Sequence, residues 1–256
     1  YKKDTTFIDV SHKIGARYLL KGNNYFKLFF HNKSSSLLSQ AGFSELTVLP
    51  SYADIAAQLY GIEFHNTKLD YLLNPKKGHQ ITVNGSFGNK SIKKNPLIAE
   101  KLYEGIALKS NLYNAELIAN YYFPISKRSV IKLASKNGYT FNETLFDNEF
   151  LRIGGLHTLR GFDEESIFAS FYSIETIEYR YILEQNSYLY LFFDGAYYER
   201  EGIEGFEADR PFGFGAGMSF ETNAGIFSIS YAVGKQFENP IEFKSAKIHF
   251  GFVNFF

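Results

Sequence analysis

Apolar and polar residues alternate with period two along much of this chain, and the two alternating faces differ in kind. From Phe212 to Glu221 the odd set is Gly213, Gly215, Gly217, Ser219 and Glu221, interleaved with Phe212, Phe214, Ala216, Met218 and Phe220. From Phe227 to Gly234 the residues Phe227, Ile229, Tyr231 and Val233 alternate with Ser228, Ser230, Ala232 and Gly234. Period two is the signature of a strand with two different surroundings, and the intervening Thr222-Asn223-Ala224-Gly225 predicts a tight hairpin. In a soluble sandwich the outward face would carry charge. Here the second face is small and mostly uncharged, as in the lumen of a barrel whose apolar face meets lipid.

The same pattern predicts about eleven strands, over 5–19, 24–35, 54–67, 78–89, 106–124, 127–137, 168–183, 187–199, 211–222, 224–236 and 244–256. Each is as long as a tilted membrane-spanning strand needs, or longer. Short turns at Lys21-Gly22-Asn23, Pro124-Ile125-Ser126, Glu184-Gln185-Asn186 and Asn223-Ala224 alternate with long polar loops at 36–53, 90–105, 138–167 and 200–210. This short and long rhythm is that of transmembrane barrels, with 68–77 the one longer turn on the short side. Helical periodicity is not sustained anywhere, although 96–104 suits a short loop helix. The expected fold is therefore all-β, an antiparallel transmembrane β-barrel forming one domain over 1–256. Eleven strands cannot close on themselves in the even-numbered barrels of this class, so the barrel is expected to be incomplete.

Composition sharpens this picture. Phe and Tyr make up 18% of the 256 residues and Gly numbers 21, more rings than a soluble domain of this size readily buries. They suit an outer surface in lipid, with Tyr113, Tyr121, Tyr197 and Tyr231 as candidate interface-girdle residues; core packing is the competing explanation. No apolar run approaches the roughly 18–20 residues of a spanning helix. Lys+Arg and Asp+Glu balance at 27 each, which gives no basis for phosphate-backbone binding, and no nucleic-acid partner is expected. Cysteine is absent, which removes disulfides and thiolate chemistry. The chain starts at Tyr1 without a leader-like segment and reads as a mature or trimmed product.

Three stretches resemble the barrel of the outer-membrane assembly superfamily that includes BamA, TamA and the two-partner secretion transporters. The first is Leu151-Arg-Ile-Gly-Gly-Leu-His-Thr-Leu-Arg-Gly-Phe162, similar to the Gly-Gly and Arg-Gly-Phe signature of a loop that folds back into the lumen. The second is Tyr60-Gly61-Ile62-Glu63 with Asp70, Asn74-Pro75 and Lys77-Gly78. The third combines Phe192-Phe193-Asp194-Gly195 with the aromatic end Lys247 to Phe256, which resembles a terminal insertion signal carrying Gly251 and Phe256; Asn254 departs from the usual aromatic there. Five strands follow the Arg-Gly-Phe loop, as in the family barrel. The resemblance implies strands six to sixteen of a sixteen-strand barrel, with the first five strands and the periplasmic POTRA domains absent from this chain.

Within that frame the main candidate site is a lumen-loop lock made of Arg160, Gly161, Phe162, Gly154, Gly155, Glu178 and Asp194. A guanidinium inside a barrel is costly unless carboxylates pair with it, and its planar fork suits them. Asp194 is expected on the lumen face of its strand with Tyr188, Tyr190 and Phe192. Glu178 is expected on the lumen face of the preceding strand beside Thr176 and Arg180. The resemblance implies the same pair of acids; the alternative is solvated charges without a special role. Gly154, Gly155 and Gly161 would permit positive φ and close backbone approach, or are ordinary loop glycines, while Asp70, Pro75 and Gly78 read as turn-shaping residues.

His65, His157 and His249 lie near acidic or hydroxyl residues in sequence, but no nucleophile elbow, metal-ligand spacing or phosphate loop accompanies them, so no enzyme is expected. No cofactor, nucleotide or metal is implied. The expected function is assembly or insertion of outer-membrane proteins, or polypeptide translocation, in the bacterial outer membrane. The expected partners are outer-membrane lipid, client outer-membrane or secreted proteins, and periplasmic or other outer-membrane subunits. A passive porin, or the membrane anchor of a secreted enzyme domain, are the rival readings.

Overall fold

The computed structural model describes residues 7–38 and 47–254, and its architecture is an antiparallel sheet that wraps around one long loop. The strands are β1 (Phe7–Leu19), β2 (Tyr25–Leu37), β3 (Asp54–Leu69), β4 (Gly78–Lys93), β5 (Lys109–Pro124), β6 (Ser129–Phe141), β7 (Leu151–Ile153), β8 (Ile167–Ala169), β9 (Phe171–Glu184), β10 (Ser187–Gly202), β11 (Gly205–Asp209), β12 (Phe212–Thr222), β13 (Gly225–Lys235) and β14 (Lys247–Val253). Eleven of them form the wall in the order β1-β2-β3-β4-β5-β6-β9-β10-β12-β13-β14, so every wall strand pairs with its neighbour along the chain. Three strands lie off that order: β7 and β8 pair with each other inside the long loop, and β11 pairs with β10.

The face alternation expected from the sequence is present strand by strand. On β9, Ile177, Tyr179 and Tyr181 are exposed outward while Glu178 and Arg180 are buried inward. On β10, Leu189, Leu191 and Phe193 point outward while Tyr190, Phe192 and Asp194 are buried. A contiguous apolar outer face of this extent marks a surface that meets a membrane or another protein. Tyr113, Tyr121 and Tyr231 lie on that outer face, and Tyr197 is half-buried.

Two expectations about loops need correction. The segment 200–210 is not a loop: β10 runs on to Gly202 and turns through Gly205, at φ +115°, into β11, which pairs back along β10. β4 likewise continues to Lys93 instead of ending at 89, which places Lys90 on a wall strand and not in an external loop. Paired backbone satisfies its hydrogen bonds whatever surrounds the side chains, so the strands outlast the alternation that marks them in the sequence. The 96–104 segment forms one 3-10 turn over Glu100–Tyr103. The longer turn at 68–77 is organised by Asp70, whose Oδ1 accepts the N–H groups of Tyr71, Lys76 and Lys77 at 3.0, 3.0 and 3.1 Å.

Among the described residues β1 pairs only with β2 and β14 only with β13, so the wall presents two edges instead of a closed seam. The core lies between wall and loop. Phe146 packs with Ala53, Ile55, Ile92, Ile98 and Tyr103, Leu145 and Phe150 pack with Ala57, Leu59 and Leu112, and Ile153, Leu159 and Ile167 pack with Tyr172, Ile174 and Tyr198. One loop reaches the inner faces of strands from β3 to β10, which requires the sheet to curl around it.

Candidate functional site: the lumen loop

The loop leaves β6 at Phe141 and enters β9 at Phe171. Two ion-pair anchors hold it, one near its base and one at its tip. At the base, Lys90 of β4 projects inward and its ammonium donates to Asn142 Oδ1 at 3.0 Å, the Thr144 carbonyl at 2.5 Å and Glu149 Oε2 at 2.5 Å. Those three acceptors use all three ammonium protons, and the Lys90 side chain is fully buried. Asn148 adds a reciprocal pair with the Ala53 backbone and donates to Ser35 Oγ at 2.7 Å. Arg200 of β10 meets Asp147 at 2.7 Å.

The tip is built on glycines. Gly154, Gly155 and Gly161 have φ of +114°, +94° and +98°, a region that a side chain strongly disfavours. The turn they permit is closed by Thr158, whose hydroxyl contacts both the N–H and the carbonyl of Gly154 at 2.8 Å. Gly161 also lies flat on the wall: a Cβ there would be 2.7 Å from the nitrogen of Gly234 and 2.8 Å from the carbonyl carbon of Val233. Gly213 and Gly234 are the matching small positions on β12 and β13, which is why the lumen face of those strands carries no bulk.

Arg160 is aimed by that backbone into the wall. Its Nε donates to Asp194 Oδ2 at 2.7 Å, its Nη2 to Asp194 Oδ1 at 2.7 Å and its Nη1 to Glu178 Oε2 at 2.7 Å. The Arg160 N–H adds a bond to Asp194 Oδ2 at 3.2 Å, and the guanidinium carbon sits 3.5 Å from the centre of the Phe192 ring. Burial disfavours the charged guanidinium, but the hydrogen bonds and charges of Asp194 and Glu178 outweigh it and hold its pKa above the ordinary value. Both acids have further partners. Thr176 donates to Asp194 Oδ1 at 2.8 Å, and Arg180 donates to Glu178 Oε1 at 2.8 Å and to Asn74 Oδ1 at 3.2 Å. Register explains the convergence: Thr176 lies directly across from Asp194, and Glu178 from Phe192, so the two carboxylates sit diagonally on adjacent strands with the arginine between them.

The structure thus brings Arg160, Glu178 and Asp194 together, with Gly154, Gly155 and Gly161 shaping the backbone around them. Phe162 packs against the cluster of Ile153, Leu159 and Tyr172. Gly251 lies on the lumen face of β14 against Leu156, whereas Phe256 lies outside the described residues. His65 stacks on Tyr25 away from the lock, and His157 is exposed on the loop tip, where it lines a cavity with Arg160 and Thr176 but makes no hydrogen bond to the lock among the described residues. His249 is a site residue that the sequence reading passed over: its Nε2 accepts the Gly161 N–H at 3.1 Å. Lys90 and Glu149 were equally hidden, because one stood in an expected loop and the other had no periodicity to place it. The only signal for His249 was its lumen parity on the last strand.

The barrel-wall sheet agrees in fold with a solved structure of a known protein. No curated protein sequence matches the chain. The crystal structure of BamA from Haemophilus ducreyi lacking POTRA domains 1–3 is similar to it in fold, with a TM-score of 0.65 and 14% identity, over 96% of this chain and 53% of that one. The chain therefore spans about half the length of that protein. The model of the Omp85 superfamily domain matches residues 23–256, and the chain belongs to that superfamily.

Proposed function

We propose that this chain is the wall and lumen loop of an outer-membrane barrel that inserts other barrel proteins into the bacterial outer membrane or passes polypeptide across it, in the manner of BamA and TamA. It acts without a cofactor and catalyses no covalent chemistry. Its partners are outer-membrane lipid, client outer-membrane or secreted polypeptides, and periplasmic or outer-membrane accessory subunits. The observation that carries this reading is a long loop folded against the lumen face of the wall and held there by the Arg160, Asp194 and Glu178 lock. A lumen occupied in this way is poorly suited to steady diffusion. The mechanism suggested by the family is opening at the seam between first and last barrel strands, with the loop holding the interior in shape meanwhile.

A passive porin is the second reading, favoured by a cavity of about 300 Å³ between wall and loop that is lined in part by Lys13, His31, Asn84 and Asn114. Reconstitution of the full-length protein in liposomes separates the two. An inserter speeds the folding of a denatured client barrel and conducts little. A porin conducts steadily and leaves client folding at the rate of empty liposomes, a result that would overturn the proposal.

A further inference from the structure

Among the described residues strand β14 pairs with β13, and its lumen face is covered by the long loop. The inward residues are Lys247, His249 and Gly251, alternating with outward Ile248, Phe250 and Phe252. Each of the three meets the tip of the lumen loop. Lys247 Nζ lies 2.7 Å from Asp163 Oδ1. His249 Nε2 accepts the Gly161 N–H at 3.1 Å, and because a backbone N–H can only donate, that nitrogen carries no proton in the bond. Gly251 leaves the space that Leu156 fills, since a Cβ there would be 2.7 Å from Leu156 Cδ2. The other flank of the same tip is fixed to β9 and β10 by Arg160. The tip is therefore a strut from the middle of the wall to its last strand.

We infer that the loop tip clamps β14 from the lumen side, with Lys247, His249 and Gly251 as the positioning residues that fix its register and tilt. The three contacts are specific to register. A slip of one residue would turn Ile248 and Phe250 into the lumen and lose all of them. A slip of two would set a glycine where the acceptor for Gly161 must be, or a histidine where Leu156 needs room. The consequence, a last strand held in one register at the seam, rests on the proposed function; the clamp itself does not.

Hydrogen–deuterium exchange of the full-length protein in liposomes tests the clamp, read on the β14 amides with those of β3 and β4 as internal reference. His249→Leu, which keeps bulk but removes the acceptor, is expected to speed β14 exchange roughly fivefold, the scale of one lost hydrogen bond. His249→Gln, whose side-chain oxygen can accept the same N–H, should stay within about twofold of the parent. Gly251→Ala should also speed exchange, and adding Leu156→Ala should restore it. Exchange in β14 at the parent rate for a folded His249→Leu overturns the inference, and so does a rise spread equally over β3 and β4. Should His249→Leu not fold, the Gly251 pair decides: equal exchange with and without Leu156→Ala overturns the clamp, and slower exchange in the double variant supports it. A clamp that loosens as expected while client insertion stays unchanged would count against the proposed function and leave the clamp standing.

Discussion

Arg160 grips Asp194 side-on, with Nε and Nη2 each 2.7 Å from a different carboxylate oxygen, while its remaining nitrogen reaches Glu178. Asp194 is wholly buried on its strand and Arg160 nearly so, so the pair holds a loop to a wall where each charge relies on the other. A single buried charge deprived of its partner costs about 3–5 kcal/mol, more than an intact pair gives over apolar replacements. Arg160→Ala and Asp194→Ala are each expected to lose stability on that scale, and the double variant to lose less than their sum, because each single change strands the other's charge. Arg160→Lys should recover only part, since a point charge cannot make the side-on pair. Urea unfolding in detergent micelles, followed by the heat-modifiable band of the folded barrel, measures the cycle. Strictly additive losses would show that the two residues act separately.

Lys90 allows the same logic at the base of the loop. Its replacement by Met leaves Glu149 buried, with one carboxylate oxygen already lacking a partner. A loss of about 3–5 kcal/mol is expected for Lys90→Met, shrinking markedly when Glu149→Leu is added. Because the two anchors sit on β4 and on β9–β10, far apart along the wall, the Lys90 and Arg160 losses should add. A strong coupling between them would mean that the loop moves as one rigid piece.

What could be read in the sequence follows from which interactions are periodic. The wall strands were legible because lipid on one side and lumen on the other impose alternation, and Phe212 to Glu221 shows it residue by residue. Arg160, Glu178 and Asp194 were legible because parity put both acids on the lumen face and an arginine stood between glycines in the loop. Lys90 was not, since β4 runs on to Lys93 while Asn89, Lys90 and Ser91 no longer alternate between apolar and polar. β11 escaped because Gly205 to Asp209 is only five residues long with Phe206 its one large apolar side chain, and only its pairing with β10 makes it a strand. His249 needed the loop placed against β14 before its role could be seen.

The outer face makes a prediction of its own. Ile177 stands near the middle of β9 and is 55% exposed outward, between the inward Thr176 and Glu178. If that face meets hydrocarbon, Ile177→Arg should destabilise the folded barrel in liposomes by about 2–4 kcal/mol, the range for arginine on the lipid face near the midplane. The same change on a solvated strand face would fall within about 0.5 kcal/mol. Folding titrations in liposomes distinguish these magnitudes directly, and a negligible effect would place β9 outside the bilayer.

The last expectation contrasts two glycines at neighbouring places on adjacent strands. Gly213 of β12 lies across from Asp194 and faces the lumen, and a Cβ built on it would be 1.8 Å from the Arg160 carbonyl oxygen. That oxygen belongs to the backbone and cannot swing aside, so the tip of the loop must lift. Gly195 of β10 points outward, and its Cβ would meet only the edge of the Phe193 ring at 3.3 Å. That ring has lipid to move into. Gly195→Ala is therefore expected to be close to neutral, whereas Gly213→Ala should stretch the bonds between Arg160 and Asp194 and cost on the order of 1–3 kcal/mol, the scale of overpacking. The chain has no native cysteine, so a single cysteine at the exposed position His157 reports the loop without interference. Its labelling should quicken in Gly213→Ala and stay at the parent rate in Gly195→Ala. Equal labelling in both would mean that the loop tip does not rest on β12, and the close packing of Gly213 against Arg160 would then have no part in holding the lock.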